Sequence, residues 1–152
     1  MPLNKAFEGR EFAAAPPYEV TAESIREFAD AIGDRNPLYR DEAAAKEAGY
    51  EAIIAPPTYL TKLNFIYSAE MMLDPNLGLN YALVVHGEQE YEYRRPVKAG
   101  DVLIATPKIA AITAKGRNEL LVTEATIRTA DGEQVCVARS TIVSRGTAPQ
   151  EG

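Results

Sequence analysis

Apolar residues recur with a helical period in the first half of the chain and with a period of two in the second. Thr21 suits a helix N-cap, Glu23 sits in the favourable first turn, and Ile25, Phe28, Ala29 and Ile32 follow at i, i+3, i+4 and i+7. This spacing predicts an amphipathic helix that Gly33 stops. An alanine-rich second helix is expected from Asp41 to Gly49. The longest helical pattern covers residues 57–73, and Pro57 can open it because first-turn amides have no intrahelical acceptor. Within it, Tyr59, Leu60, Leu63, Phe65, Ile66, Tyr67, Ala69, Met71, Met72 and Leu73 leave only a narrow polar stripe around Lys62 and Glu70. So wide an apolar belt predicts a helix covered on most sides.

After the turn Asp74-Pro75-Asn76-Leu77-Gly78 the period changes. Tyr91 and Tyr93 alternate with Glu90, Glu92 and Arg94 in one strand, and residues 102–112 form a second. Leu121, Thr123, Ala125 and Ile127 give one face of a third, and Ala130-Asp131-Gly132-Glu133 is a hairpin signal into a fourth at 135–143. Pro107 argues for an edge or a bulge in the second strand. Upstream, Ala13-Ala14-Ala15-Pro16-Pro17 forces an extended arm leading into Tyr18-Glu19-Val20. Helices followed by antiparallel strands define an α+β class. The expected architecture is a hot-dog fold, an antiparallel sheet containing residues 82–143 wrapped around the 57–73 helix. One such domain is expected over residues 1–146, with a polar tail at 147–152. A small sheet with one helix leaves an apolar edge or face, so a dimer is expected to close it.

Composition narrows the chemistry. The chain is 46% hydrophobic and 25% charged, the balance of a globular domain. Its net charge of -6 disfavours nucleic acid as a partner. Neither a bilayer-spanning stretch nor a signal peptide is evident, so a soluble, cytoplasmic protein with no membrane role is expected. The single Cys136 and the single His86 cannot make a disulfide framework or a His/Cys metal site, and neither metal nor another cofactor is expected. Cys136 alternates inward and reads as a small core residue.

The segment Gly33-Asp34-Arg35-Asn36-Pro37-Leu38-Tyr39 resembles the active-site segment Gly-Asp-x-Asn-Pro-x-His of the MaoC-like hydratase/dehydratase family. Arg95-Pro96-Val97-Lys98-Ala99-Gly100-Asp101 is similar to that family's Pro-Val-x-x-Gly-Asp turn. The resemblance implies acyl-thioester chemistry, the interconversion of trans-2-enoyl and (3R)-3-hydroxyacyl thioesters of CoA or acyl-carrier protein, and a second hot-dog subunit as partner. It also implies substrate contacts at Asn36, Pro57 and Gly87, while the apolar stripe of the long helix is either core or, in part, the lining of an acyl tunnel with substrate contacts at Tyr59 and Leu63.

Two positions depart from the pattern. Tyr39 stands where the family has its histidine, and a phenol with an ordinary pKa of about 10 is a poor base at neutral pH. Pro57, in Ala55-Pro56-Pro57, stands where the family's oxyanion glycine offers an N–H, which proline lacks. Asp34 is thus either the surviving half of a catalytic dyad or a turn residue bonding its own backbone. Tyr39 is either a proton donor or a packing residue. His86-Gly87-Glu88-Gln89 resembles the non-catalytic half of fused two-unit enoyl hydratases and small actinobacterial subunits that accommodate the acyl chain. His86 is either structural or an acid/base, and Gly87 marks a bulge or a close backbone approach. The local basic cluster Arg94, Arg95 and Lys98 suits a pantetheine phosphate or an acidic carrier, or is a solvated turn. The reading that emerges is an acyl-binding, stabilising subunit of a (3R)-hydroxyacyl thioester dehydratase whose catalytic subunit is another chain. Its rivals are a homodimeric hydratase active by itself and a non-catalytic acyl-thioester-binding protein.

Overall fold

A computed structural model describes residues 1–150. Five antiparallel strands form one curled sheet in the order β1-β3-β4-β5-β2. They are β1 (Tyr18–Glu19), β2 (Val84–Tyr93), β3 (Val102–Lys115), β4 (Asn118–Thr129) and β5 (Gln134–Ser144). Inward positions alternate as the period of two requires: Leu103, Ala105 and Ile109, then Leu121, Ala125 and Ile127, then Cys136 and Ala138 are all buried. Tight hairpins join β3 to β4 and β4 to β5. The second turns at Gly132, whose φ of 97° is open to glycine and costly for other residues. Among the described residues β2 pairs only with β5, so its other side is an unpaired edge.

The opposite edge is covered. Beyond the two residues of β1, the N-terminal arm lies along β3, where the N–H groups of Ala15, Phe12 and Gly9 donate to the carbonyls of Ala105, Pro107 and Ile109. Pro107 therefore turns its missing N–H toward the arm and away from the β4 ladder, and a bulge follows between Ile109 and Ala111. The buried Glu119 carboxylate pins both ends of the chain. Its Oε2 accepts from Leu3 N–H at 2.9 Å and from the Thr147 hydroxyl at 2.7 Å. Thr147, expected to open the polar tail after 146, is thus packed against the sheet at 5% exposure.

Helix α1 (Ala22–Ala31) begins where the Thr21 hydroxyl accepts the Ser24 N–H, and α2 (Glu42–Glu47) begins at the Asp41 carboxylate. The third helix, α3 (Thr61–Leu73), starts four residues later than the pattern predicts. Residues 57–60 wind more tightly, with Tyr59 N–H bonded to the Pro56 carbonyl and Thr61 N–H to that of Thr58. Tertiary anchoring wins over helix propagation there: Tyr59 is fully buried with its hydroxyl 2.8 Å from Ser24 Oγ. The apolar belt is also covered on fewer sides than expected. Leu63, Tyr67 and Met71 are buried, whereas Phe65 is 83% exposed and Leu73 67%. A single chain supplies one sheet face and so covers one stripe of the helix. Among the described residues no helix is long and apolar enough to cross a membrane.

The Pro-Val-x-x-Gly-Asp segment is a closed turn. Asp101, nearly buried, accepts both terminal nitrogens of Arg95 at 2.9 and 3.0 Å and the Lys98 N–H at 2.9 Å. Removing that carboxylate leaves three donors unmatched, so Asp101→Ala is expected to cost about 2–4 kcal/mol in urea unfolding. Cys136 gives a pH signature. Burial pushes its thiol from 9.0 up to about 12. The unfolded chain ionises it near 8.5, so the folded state loses this advantage as pH climbs from there toward its raised value. The urea midpoint is expected to fall between about pH 9 and 11 more steeply in the native sequence than in Cys136→Ala.

Candidate functional site

A trough of about 810 Å³ runs along the flank of α3 that faces β2 and β5. From Thr61 to Leu73 the helix rises about 18 Å, which sets the trough's length. β2 runs along the opposite wall in the reverse direction. The Thr61 and Tyr91 hydroxyls meet at 2.6 Å near one end, and Asn64 Nδ2 meets Gln89 Oε1 at 3.1 Å further along. Beyond them the lining turns apolar at Met72, Leu73, Val84 and Ile142.

Gln89 is the junction of the polar stretch. Its Oε1 accepts from Asn64, from the Ser140 hydroxyl at 2.6 Å and lies 3.2 Å from His86 Nε2, while its Nε2 donates to the Arg139 carbonyl at 3.1 Å. One side chain thus ties α3, β2 and β5 together. Tyr67 donates its hydroxyl to Asn64 Oδ1. Burial raises the pKa of Tyr67 and of Tyr91, so both phenols stay protonated as hydrogen-bonding groups at neutral pH. The trough offers neutral donors and acceptors with one imidazole, a set suited to holding an elongated, mostly apolar ligand.

The sequence candidates divide. His86 lines the trough. Gly87 forms the bulge between His86 and Glu88, where a Cβ would meet Val143 Cγ2 at 3.1 Å and the Thr141 carbonyl at 3.3 Å. Both expectations for this glycine, bulge and close approach, are met at one position. Asp34 and Asn36 lie elsewhere, in the turn that ends α1. Gly33 takes φ 71°, Asp34 N–H returns to the Ala29 carbonyl, and the Asp34 carboxylate accepts the Asn36 N–H at 3.0 Å. The Asn36 side chain caps the next turn at Leu38 N–H. Tyr39 is buried, and burial followed by the nearby Asp34 charge raises its pKa further from that of a base. Pro57 is exposed, and its carbonyl accepts the Tyr93 hydroxyl at 2.6 Å. Tyr59 lies in the core beside Ser24 and Tyr18, and Leu63 packs toward Leu103 and Ala105. Arg95 is matched by Asp101 and Glu133, and Lys98 by Glu51, so two of the three basic side chains of the cluster are internally neutralised.

Gln89, Asn64, Ser140 and the Thr61–Tyr91 pair are the site residues that the candidate set lacked. One signal was available: Gln89, Tyr91 and Tyr93 continue a single inward face of β2 between exposed glutamates, so a carboxamide stands where the period calls for an apolar residue.

Comparison with known proteins agrees with this architecture. The model of the FAS1-like dehydratase domain region matches residues 6–138. A UPF0336 protein of Saccharopolyspora erythraea is 50% identical over 97% of this chain and 95% of its own length, and one of Thermobifida fusca is 46% identical over 98% of each. Among solved structures, a MaoC-like dehydratase superposes with a TM-score of 0.86 at 28% identity, over 93% of this chain. This chain covers only 43% of that one. The HadBC (3R-hydroxyacyl-ACP dehydratase) complex of Mycobacterium tuberculosis gives a TM-score of 0.73 at 29% identity, over 88% of this chain and 96% of the other.

The geometry makes a direct statement about Asp34. If it serves the turn, Asp34→Ala should cost ~1 kcal/mol in denaturant unfolding, and Asp34→Asn, which keeps an accepting oxygen, less than about 0.5 kcal/mol.

Proposed function

The chain belongs to the family of the FAS1-like dehydratase domain region, with the MaoC-like hot-dog fold, and from that premise we propose that it is the acyl-binding subunit of a (3R)-hydroxyacyl thioester dehydratase or enoyl hydratase, working with a second hot-dog chain that carries the proton chemistry. The observation that carries this reading is the separation of cavity from dyad: the long apolar trough follows α3, while Asp34 and Tyr39 belong to the turn after α1 and do not line it. Dehydration removes a proton from C2 and hydroxide from C3. It needs a base near ambient pH and a donor for the enolate oxygen. Here the base position holds a phenol whose pKa is raised, and the donor position holds a proline. What remains is substrate positioning, which by itself lowers the barrier of a reaction completed by groups from another chain.

A partner has a surface to occupy. Phe65, Ile66 and Leu73 are exposed on α3, and the unpaired edge of β2 runs beside the same trough. Exposed apolar side chains next to a free strand edge suit a second hot-dog unit, which extends the sheet and roofs the helix. The relevant ligand is an acyl thioester of CoA or carrier protein whose chain lies in the trough.

The purified chain alone is expected to hydrate crotonyl-CoA and longer 2-enoyl-CoA thioesters only marginally, since loss of one oxyanion donor typically costs about 10²–10³ in rate. Co-expression with a hot-dog chain bearing an intact Asp-x-Asn-Pro-x-His segment should give a stable complex with full turnover. That turnover should survive Asp34→Asn in this chain and vanish when the partner's own aspartate is changed. Efficient turnover by the chain alone, abolished by Asp34→Asn, would instead establish a self-sufficient homodimeric hydratase.

A further inference from the structure

His86 is the chain's only histidine, and its hydrogen-bonding role can be deduced from its neighbours. The Gln89 carboxamide has one possible orientation. Its nitrogen must face the Arg139 carbonyl, which can only accept, and its oxygen then faces Ser140, Asn64 and His86. Asn64 is fixed in turn, because only its nitrogen can donate to Gln89 Oε1 while its own oxygen takes the Tyr67 hydroxyl. An amide oxygen donates nothing, so His86 Nε2, 3.2 Å away, must carry the proton. In the neutral ring Nδ1 is then an acceptor, and no protein group among the described residues bonds to it. His86 stands on the trough wall between the polar stretch and the apolar far end.

We propose that His86 is a specificity-determining residue of the trough: Gln89 holds its imidazole as the Nε2–H tautomer, and Nδ1 accepts a hydrogen bond from a hydroxyl borne by the acyl chain. The trough thereby selects hydroxylated acyl thioesters over unsubstituted ones of the same length. Gln89 is the positioning residue, acting through His86 and through the spacing of α3 from β5. This inference rests on the acyl-binding role proposed above.

Two measurements test it. The first needs no ligand: because the histidine is unique, nitrogen NMR of the labelled imidazole at neutral pH reads its tautomer directly. A protonated Nε2 and a bare Nδ1 are expected, with the fraction of the Nδ1–H tautomer rising in Gln89→Met. A ring protonated on Nδ1, or a tautomer indifferent to Gln89→Met, would overturn the assignment.

The second is calorimetric titration with a saturated acyl-CoA, its 3-hydroxy counterpart and a counterpart hydroxylated near the middle of the chain. At least one hydroxylated ligand should bind about five- to tenfold tighter than the saturated one, the worth of a single hydrogen bond. The two hydroxylated ligands locate the hydroxyl that is read. His86→Phe, on an exposed position that keeps the bulk of the ring, should erase the difference between hydroxylated and saturated ligands. Equal affinities in the native chain, or a preference that survives His86→Phe, would refute the proposal while leaving acyl binding intact. Absence of binding by every acyl-CoA would refute the acyl-binding role itself, and the specificity with it.

Discussion

Helix α3 buries one apolar stripe, Leu63, Tyr67 and Met71, and the position of nearly everything else follows from how narrow that stripe is. Burying such side chains contributes about 1.5–3 kcal/mol each, enough to seat the helix across the inner face of the sheet. Residues four apart advance by slightly more than a full turn, so the stripe drifts around the helix and the flank toward β2 and β5 lifts away. The gap left there is the trough. The same geometry leaves Phe65 and Leu73 without cover and keeps the β2 edge free beside them. A wider contact would have filled the cavity and removed the apolar surface that suits a partner.

The two sheet edges meet opposite fates for reasons written in composition. Along β3 the arm satisfies the outward carbonyls at 105, 107 and 109, and Pro107 is tolerable because its missing N–H points that way. Glu119 then holds the arm and the chain's end through Leu3 and Thr147. Nothing comparable is spent on β2. Its outer face carries glutamates at 88, 90 and 92, which keep the strand soluble without pairing it.

Periodicity carried the fold because each element is amphipathic in its own period. The strand alternation, the Thr21 cap and the Gly132 hairpin are local signals, and each is found where the pattern put it. The start of α3 was not legible. A helical pattern through residues 57–60 competes with the anchoring of Tyr59 to Ser24, thirty-five residues away, and only the folded chain holds that distance. The apolar belt was legible as composition and not as coverage, since a sequence of one chain does not say which apolar face its own sheet reaches.

The candidate site was legible in proportion to how local its chemistry is. Asp34 and Asn36 stand out in any reading because short polar side chains beside glycine and proline are also what turns are made of, and here their bonds close the turn. Gln89 shows in such a reading only as a carboxamide on the inward face of β2, with nothing to say what it meets. Its role arises only when α3, β2 and β5 converge and three donors fall on one oxygen. A network of that kind is costly to satisfy partially and specific when complete. Replacing the whole cluster with apolar side chains of equal volume would be nearly neutral for stability, yet it would leave a trough with no preferred place for an oxygen atom. The polar stretch is therefore better accounted for by what the trough must distinguish than by what the fold requires.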